Sequence, residues 1–104
     1  MGDLEMAVLS ASAKPGPARH GVPVHEDAVA FYGRSITAGA FYSTVSRLQA
    51  KKLVRTWDGD PMPERGGRPR RYIQITGAGK QALREAAESK RRLVNAALAP
   101  AFSR

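Results

Sequence analysis

The sequence predicts a mainly helical α+β chain, with three short helices, a β-hairpin and one long final helix. Three observations predict it. Residues 37–54, TAGAFYSTVSRLQAKKLV, place apolar side chains at helical spacing on one face and basic and hydroxyl-bearing ones on the other. Residues 64–76, ERGGRPRRYIQIT, read as an arginine-tipped hairpin running into another helix. The formal net charge of +8 on 104 residues is concentrated rather than spread.

That charge narrows the function classes. Residues 1–33 carry Lys14 and Arg19 against Asp3, Glu5, Glu26 and Asp27, a net of −2. Residues 34–57 carry Arg34, Arg47, Lys51, Lys52 and Arg55 with no acid, a net of +5. So basic a stretch on a small chain points to a polyanionic partner. A membrane surface is excluded as that partner, because the basic helices lack the Trp/Phe/Leu face of an interfacial anchor. Hydrophobic residues make up 42% of the chain, enough for a folded domain rather than a disordered one. There is no cysteine, which excludes disulfides and thiolate metal sites. No apolar run is long enough to span a bilayer, and no basic-then-apolar leader pattern stands at the start. The cytoplasm is the expected location.

In chain order, Asp3 is expected to cap a first helix over 4–13, with Leu4, Val8 and Ala11 as its buried stripe. Lys14-Pro15-Gly16-Pro17 ends it and opens a loop over 14–23. Pro23 suits the first turn of a second helix over 23–32, with Val24, Ala28 and Phe31 on one face and Gly33 as its stop. After a short turn, Thr37 caps a third helix over 38–52. Phe41, Val45, Leu48 and Lys52 follow its apolar rhythm, and Leu53 closes the core. Strands are expected over 54–57 and 70–75, with a Gly- and Pro-rich loop over 58–68 between them. Thr76 caps a last helix over 77–99, and Pro100 ends it. Leu83, Ala86, Ala87, Lys90, Leu93, Val94, Ala97 and Leu98 recur there at three-to-four spacing. That stripe is longer than one small domain needs, and a second copy of the chain is the economical cover.

Helix two, a short turn and helix three make a helix-turn-helix pair, and the basic hairpin after it makes a wing. This winged helix-turn-helix, residues 1–76, is expected to bind DNA, and residues 77–104 to form a dimerisation helix. A helix entering the major groove needs small or hydrogen-bonding side chains near its start and phosphate contacts on its flank. Thr37, Ala38, Gly39, Tyr42, Ser43 and Ser46 meet the first need. Lys51 meets the second, and Arg47 suits either a guanine or a phosphate. On the wing, Arg65, Arg68, Arg70 and Arg71 surround Gly66-Gly67 and Pro69, where glycines allow close approach to a duplex. Each element also has an ordinary reading, as a solvated helix face and as a polar loop. Their succession at wing spacing favours DNA.

Other chemistry is poorly represented. His20 and His25 flank Pro23 without the third ligand that zinc needs. Neither supports a nucleophile, and the glycines lack a phosphate-loop pattern, so no enzyme and no cofactor is expected. Trp57 is expected to pack on the core, with stacking on an effector or DNA as the alternative.

Taken together, the residues resemble the PadR family of bacterial transcriptional regulators. The matching stretches are LEMAVLSAS, TAGAFYSTVSRLQAKKLV and ERGGRPRRYIQITGAGKQAL, within residues 3–85. The recognition-helix start is matched by Ala38-Gly39-Ala40-Phe41-Tyr42, and the wing by Gly67-Arg68-Pro69-Arg70-Arg71-Tyr72 followed by Thr76-Gly77-Ala78-Gly79. The resemblance implies a homodimeric repressor of a palindromic operator, with the C-terminal helix mediating dimerisation. It implies contacts to base or phosphate from Tyr42 and Ser43, and a wing bearing Arg68 and Arg70. Some members respond to phenolic or other small effectors. The chain departs from the family pattern at Gly21-Val22-Pro23-Val24-His25-Glu26, and at Lys52-Leu53, where a glycine is usual. The alternative is a protein-interaction module that docks its apolar last helix on a larger partner, the basic face being only solubilising.

Overall fold

Apolar side chains at three-to-four spacing on short helices, closed by a small sheet, decide where the core lies. In the computed structural model, residues 1–61 and 69–100 are described. They form α1 (Asp3–Ser12), β1 (Arg19–His20), α2 (Gly21–Tyr32), α3 (Ala38–Ala50), β2 (Val54–Pro61), β3 (Pro69–Ile75) and α4 (Gly77–Ala97). Val8, Leu9 and Ala11 of α1, Val24 and Ala28 of α2, and Phe41, Val45 and Leu48 of α3 meet Val54, Ile73 and Ile75 of the sheet. Phe41 is fully buried and stacks on His25 with ring centroids 4.7 Å apart.

The sheet is antiparallel in the order β1-β3-β2, with Val54 opposite Ile75, Trp57 opposite Tyr72 and Arg19 opposite Ile73. Side chains alternate across it. Val54, Ile73 and Ile75 turn to the core, while the register puts Arg55, Trp57, Tyr72 and Gln74 on the other face. The strand β1 falls within the stretch expected to be loop. It is only two residues long, too short to show a period, and Pro17 has no amide with which to extend it. Arg19 and Lys14 both bond the Asp27 carboxylate on α2, and the Arg19 bond in particular holds that carboxyl below its usual range.

Several local expectations are corrected. Gly2, not Asp3, is the N-cap of α1, and Asp3 instead bonds Lys90 on α4. Helix α2 starts at Gly21, ahead of Pro23, and Phe31 is 60% exposed, while its neighbours Val29 and Tyr32 are the ones that pack against the core. Trp57 lies on the outer sheet face, stacked on Tyr72 at 5.8 Å and under the Arg55 guanidinium at 4.7 Å, rather than in the core. Lys52 is exposed and lies past the end of α3.

The end of α3 explains Lys52. Its amide donates to the Gln49 carbonyl and that of Leu53 to the Leu48 carbonyl, both at 2.9 Å. This is the Schellman arrangement, and its outer residue adopts a left-handed backbone. Lys52 accordingly has φ +63°, the conformation glycine adopts without a Cβ penalty. Lys52→Gly should therefore raise stability by roughly 0.5–1 kcal/mol, the relieved strain being partly offset by a freer unfolded chain. Urea unfolding would show the midpoint rise, and a fall would mean that the side chain contributes more than the strain costs.

Thr76 joins two helices. Its amide donates to the Leu53 carbonyl at 3.0 Å and its hydroxyl to the Lys52 carbonyl at 2.7 Å. The same oxygen accepts from the Gly79 amide at 3.0 Å, capping α4 as expected. The first turns of α4 pack on the body through buried Gly79 and half-buried Leu83. From Arg91 to Pro100 every residue is exposed. The molecule measures 66 × 27 × 23 Å with a radius of gyration of 16.6 Å, against roughly 13 Å for a compact chain of this length.

Candidate nucleic-acid interface

The exposed face of α3 begins at its cap. The Thr37 hydroxyl accepts the Ala40 amide at 3.1 Å, which fixes the helix start. Just before it, His25 Nε2 donates to the Ile36 carbonyl at 2.6 Å, tying α2 to the turn that aims α3. His25 is thus part of the helix-turn-helix frame. Among the described residues, no group of three or more His, Cys, Asp or Glu side chains could hold a metal.

Ala38, Gly39, Tyr42, Ser43, Ser46 and Arg47 are exposed together on α3. The opposite face, Phe41, Thr44, Val45 and Leu48, is buried, with the Thr44 hydroxyl donating to the Ala40 carbonyl at 2.8 Å. A Cβ at Gly39 would meet nothing within 4 Å, so nothing in the chain requires a glycine there. Tyr42 leans edge-on against Phe41 at 4.9 Å. A Cβ at Gly21 would stand 2.3 Å from the Tyr42 hydroxyl, so Gly21 gives that ring its position.

The flank of α3 facing α1 carries the cations. Arg47 Nη2 donates to the Thr44 hydroxyl at 3.1 Å, and its Nε lies 3.6 Å from Glu5 Oε2. Lys51 Nζ lies 3.3 Å from the same oxygen. On the hairpin, Arg71 bonds Asp58 at 3.1 Å across the strands, and Arg70 is partly exposed. Arg65 and Arg68 lie outside the described residues.

The structure adds residues that the sequence did not single out. Gln49 on α3 accepts the Thr56 hydroxyl of β2 at 2.8 Å, linking the helix to the wing. Arg55 donates to Gln74 at 3.1 Å over the Trp57 ring. The signal for Arg55 was its place in the acid-free stretch. Glu5, Gln49 and Thr56 had no local signal.

On α4, Leu83 packs on the core of its own chain and Ala86 is half-buried. Lys90 bonds Asp3, whose carboxyl this bond and the ammonium charge hold below the usual range. Ala87, Leu93, Val94, Ala97 and Leu98 are exposed, Leu93 by 69% and Leu98 by 78%.

This frame has known counterparts. The sequence matches the Transcriptional regulator PadR-like family over residues 9–85. The chain belongs to the PadR-like family. As a PadR-like chain it is a DNA-binding transcriptional regulator, a class of protein distinct from enzymes. A PadR-like transcription factor from Bacteroides fragilis shares its fold with a TM-score of 0.75 at 20% identity, covering 90% of this chain and 85% of its own. A PadR family regulator from Eggerthella lenta superposes with a TM-score of 0.74 at 26% identity, over 92% and 79% respectively. The transcriptional regulator BldR from Sulfolobus solfataricus gives 0.62 at 28% identity, over 96% of this chain and 63% of that one. No curated protein matches the sequence. Among the described residues of this PadR-like chain, no helix is long and apolar enough to cross a membrane.

Proposed function

We propose that the protein is a homodimeric, sequence-specific repressor that works in the cytoplasm on a palindromic operator. Residues 1–76 read the DNA and residues 77–104 hold two copies together. The observation that carries this reading is the exposed face of α3. Gly39, Ser43 and Ser46 present small or hydrogen-bonding groups to solvent, Tyr42 stands exposed beside them with its ring steadied by Phe41 and Gly21, and Arg47 and Lys51 flank them. Such a face suits the major groove, with base contacts from the first turns and phosphate contacts from the flank. Arg65, Arg68, Arg70 and Arg71 would place the wing against the neighbouring backbone or minor groove. Two such helices in a two-fold dimer read half-sites about one helical turn apart. The exposed Leu93, Val94, Ala97 and Leu98 supply a surface for the second copy. A small effector, as the resemblance allows, would act by favouring one separation of the two recognition helices.

Fluorescence anisotropy tests this reading, with a labelled duplex from upstream of the protein's own gene and a scrambled duplex, across a salt series. Tight binding to the upstream duplex alone, weakening with salt, is expected. Equal weak binding to both would leave an architectural role or a distant operator. Absence of binding at low salt would overturn the reading and favour a module that docks its apolar α4 on another protein.

A further inference from the structure

Glu5 sits in the second half-turn of α1, yet its carboxylate reaches the recognition helix. Its side chain is only 16% exposed, whereas those of Arg47 and Lys51 are 55% and 56% exposed. One carboxylate therefore faces two cations, in a stretch, residues 34–57, that holds no acid of its own. The neighbouring acid on α1, Asp3, is engaged by Lys90. Arg47 is further fixed by its bond to the Thr44 hydroxyl, itself anchored on the Ala40 carbonyl. The Nε edge of the guanidinium is thus turned to Glu5, one Nη2 donor is committed to Thr44, and donors remain for a phosphate.

We propose that Glu5 is a positioning residue for DNA recognition, which orients Arg47 and Lys51 along the flank of α3 and limits the charge they offer to duplex of any sequence. The proposal rests on the DNA-binding reading given above. Two physical effects follow from one carboxylate. Orientation favours the complex in which the base-reading face of α3 is seated, because the cations are already placed for the phosphates of that register. Charge limitation disfavours sequence-independent binding, because random duplex is held mainly by phosphate pairing and that pairing competes with Glu5. Both cations are more than half exposed, so solvent screens the pairs and their contribution to folding is small, and the effect is read in the ratio of the two affinities.

The test is Glu5→Gln, which keeps shape and removes charge, with Glu5→Asp, which keeps charge and shortens the reach. Each full-length variant is titrated by anisotropy against a scrambled duplex and against a duplex selected from a randomised pool by the unsubstituted protein, over a salt series. Glu5→Gln is expected to bind scrambled duplex roughly three- to tenfold more tightly at low salt. Its log–log salt slope should steepen by up to about 0.9, the value of one added phosphate contact, and the selected-to-scrambled ratio should fall. Glu5→Asp should leave the scrambled affinity near that of the unsubstituted protein and weaken binding to the selected duplex. A Glu5→Gln protein with unchanged slope and ratio would overturn the proposal and leave a surface ion pair. Absence of duplex binding by the unsubstituted protein would overturn both this proposal and the DNA reading, whereas normal binding with an indifferent Glu5→Gln overturns this one alone.

Discussion

Leu93→Asp is expected to yield a monomer by sedimentation and to weaken operator binding by roughly two orders of magnitude or more, the usual loss when linked sites become single ones. Leu93 is 69% exposed on the part of α4 that stands clear of the body. It adjoins a groove lined by Met1, Met6, Ala86, Ser89 and Lys90. A carboxylate there leaves the fold of one chain nearly untouched, because the position is mostly solvated already. In a two-copy seam the same carboxylate would be taken out of water without a partner, which costs several kcal/mol by the usual estimate (~3 or more). Far-UV circular dichroism should be unchanged. A variant that still sediments as a dimer would move the interface off this stripe.

The second large effect is expected at Gly79. An added Cβ there would lie 2.0 Å from the Leu53 carbonyl oxygen and 2.7 Å from Ile75 Cγ1. The first obstacle is backbone, held where it is by the Thr76 amide, so it cannot turn aside as a side chain could. Gly79→Ala should cost about 3 kcal/mol or more, at the upper end of overpacking. That lowers the melting temperature by roughly 10–20 °C for a chain of this size. Gly39→Ala is the control, since its Cβ meets nothing. It should leave the melting temperature unchanged or slightly raised and reduce operator affinity. A Gly79→Ala protein that melts normally would mean that α4 can lift from the sheet at little cost.

The contrast between those two glycines shows how far the sequence could be read. The helix α3 was legible because Phe41, Val45 and Leu48 keep one period beneath a capping Thr37, and the hairpin in outline, although β2 runs on to Pro61 through a stretch that its Gly59 and Pro61 marked as loop. Both features are local. What escaped reading was non-local. Glu5 meets Lys51 from 46 positions away, and Thr56 meets Gln49 across the junction between helix and strand. No periodicity records such encounters. Phe31 shows the opposite failure, since its spacing with Val24 and Ala28 suggested burial. Spacing fixes a face only to within a position, and at the end of α2 it is Tyr32, four residues past Ala28, that packs on the core while Phe31 stays exposed. Trp57 misled for a related reason, because alternation along a strand cannot say which side of the sheet meets the helices.

Thr76 gives the dimer reading a mechanical sense. Four hydrogen bonds converge on it, two shared with the carbonyls just past the end of α3 and two from amides at the start of α4. Two helices fastened at one residue cannot roll independently. Helix α4, at 21 residues, is roughly 31 Å long. In the proposed dimer it becomes a lever with Thr76 as its fulcrum. A rotation of a few degrees at the far seam would arrive at the recognition helix as a shift on the order of an ångström or two over that length. The spacing between paired half-sites would then be gauged at the seam, far from any base, and whatever loosens or tightens the seam would retune which DNA the protein can span.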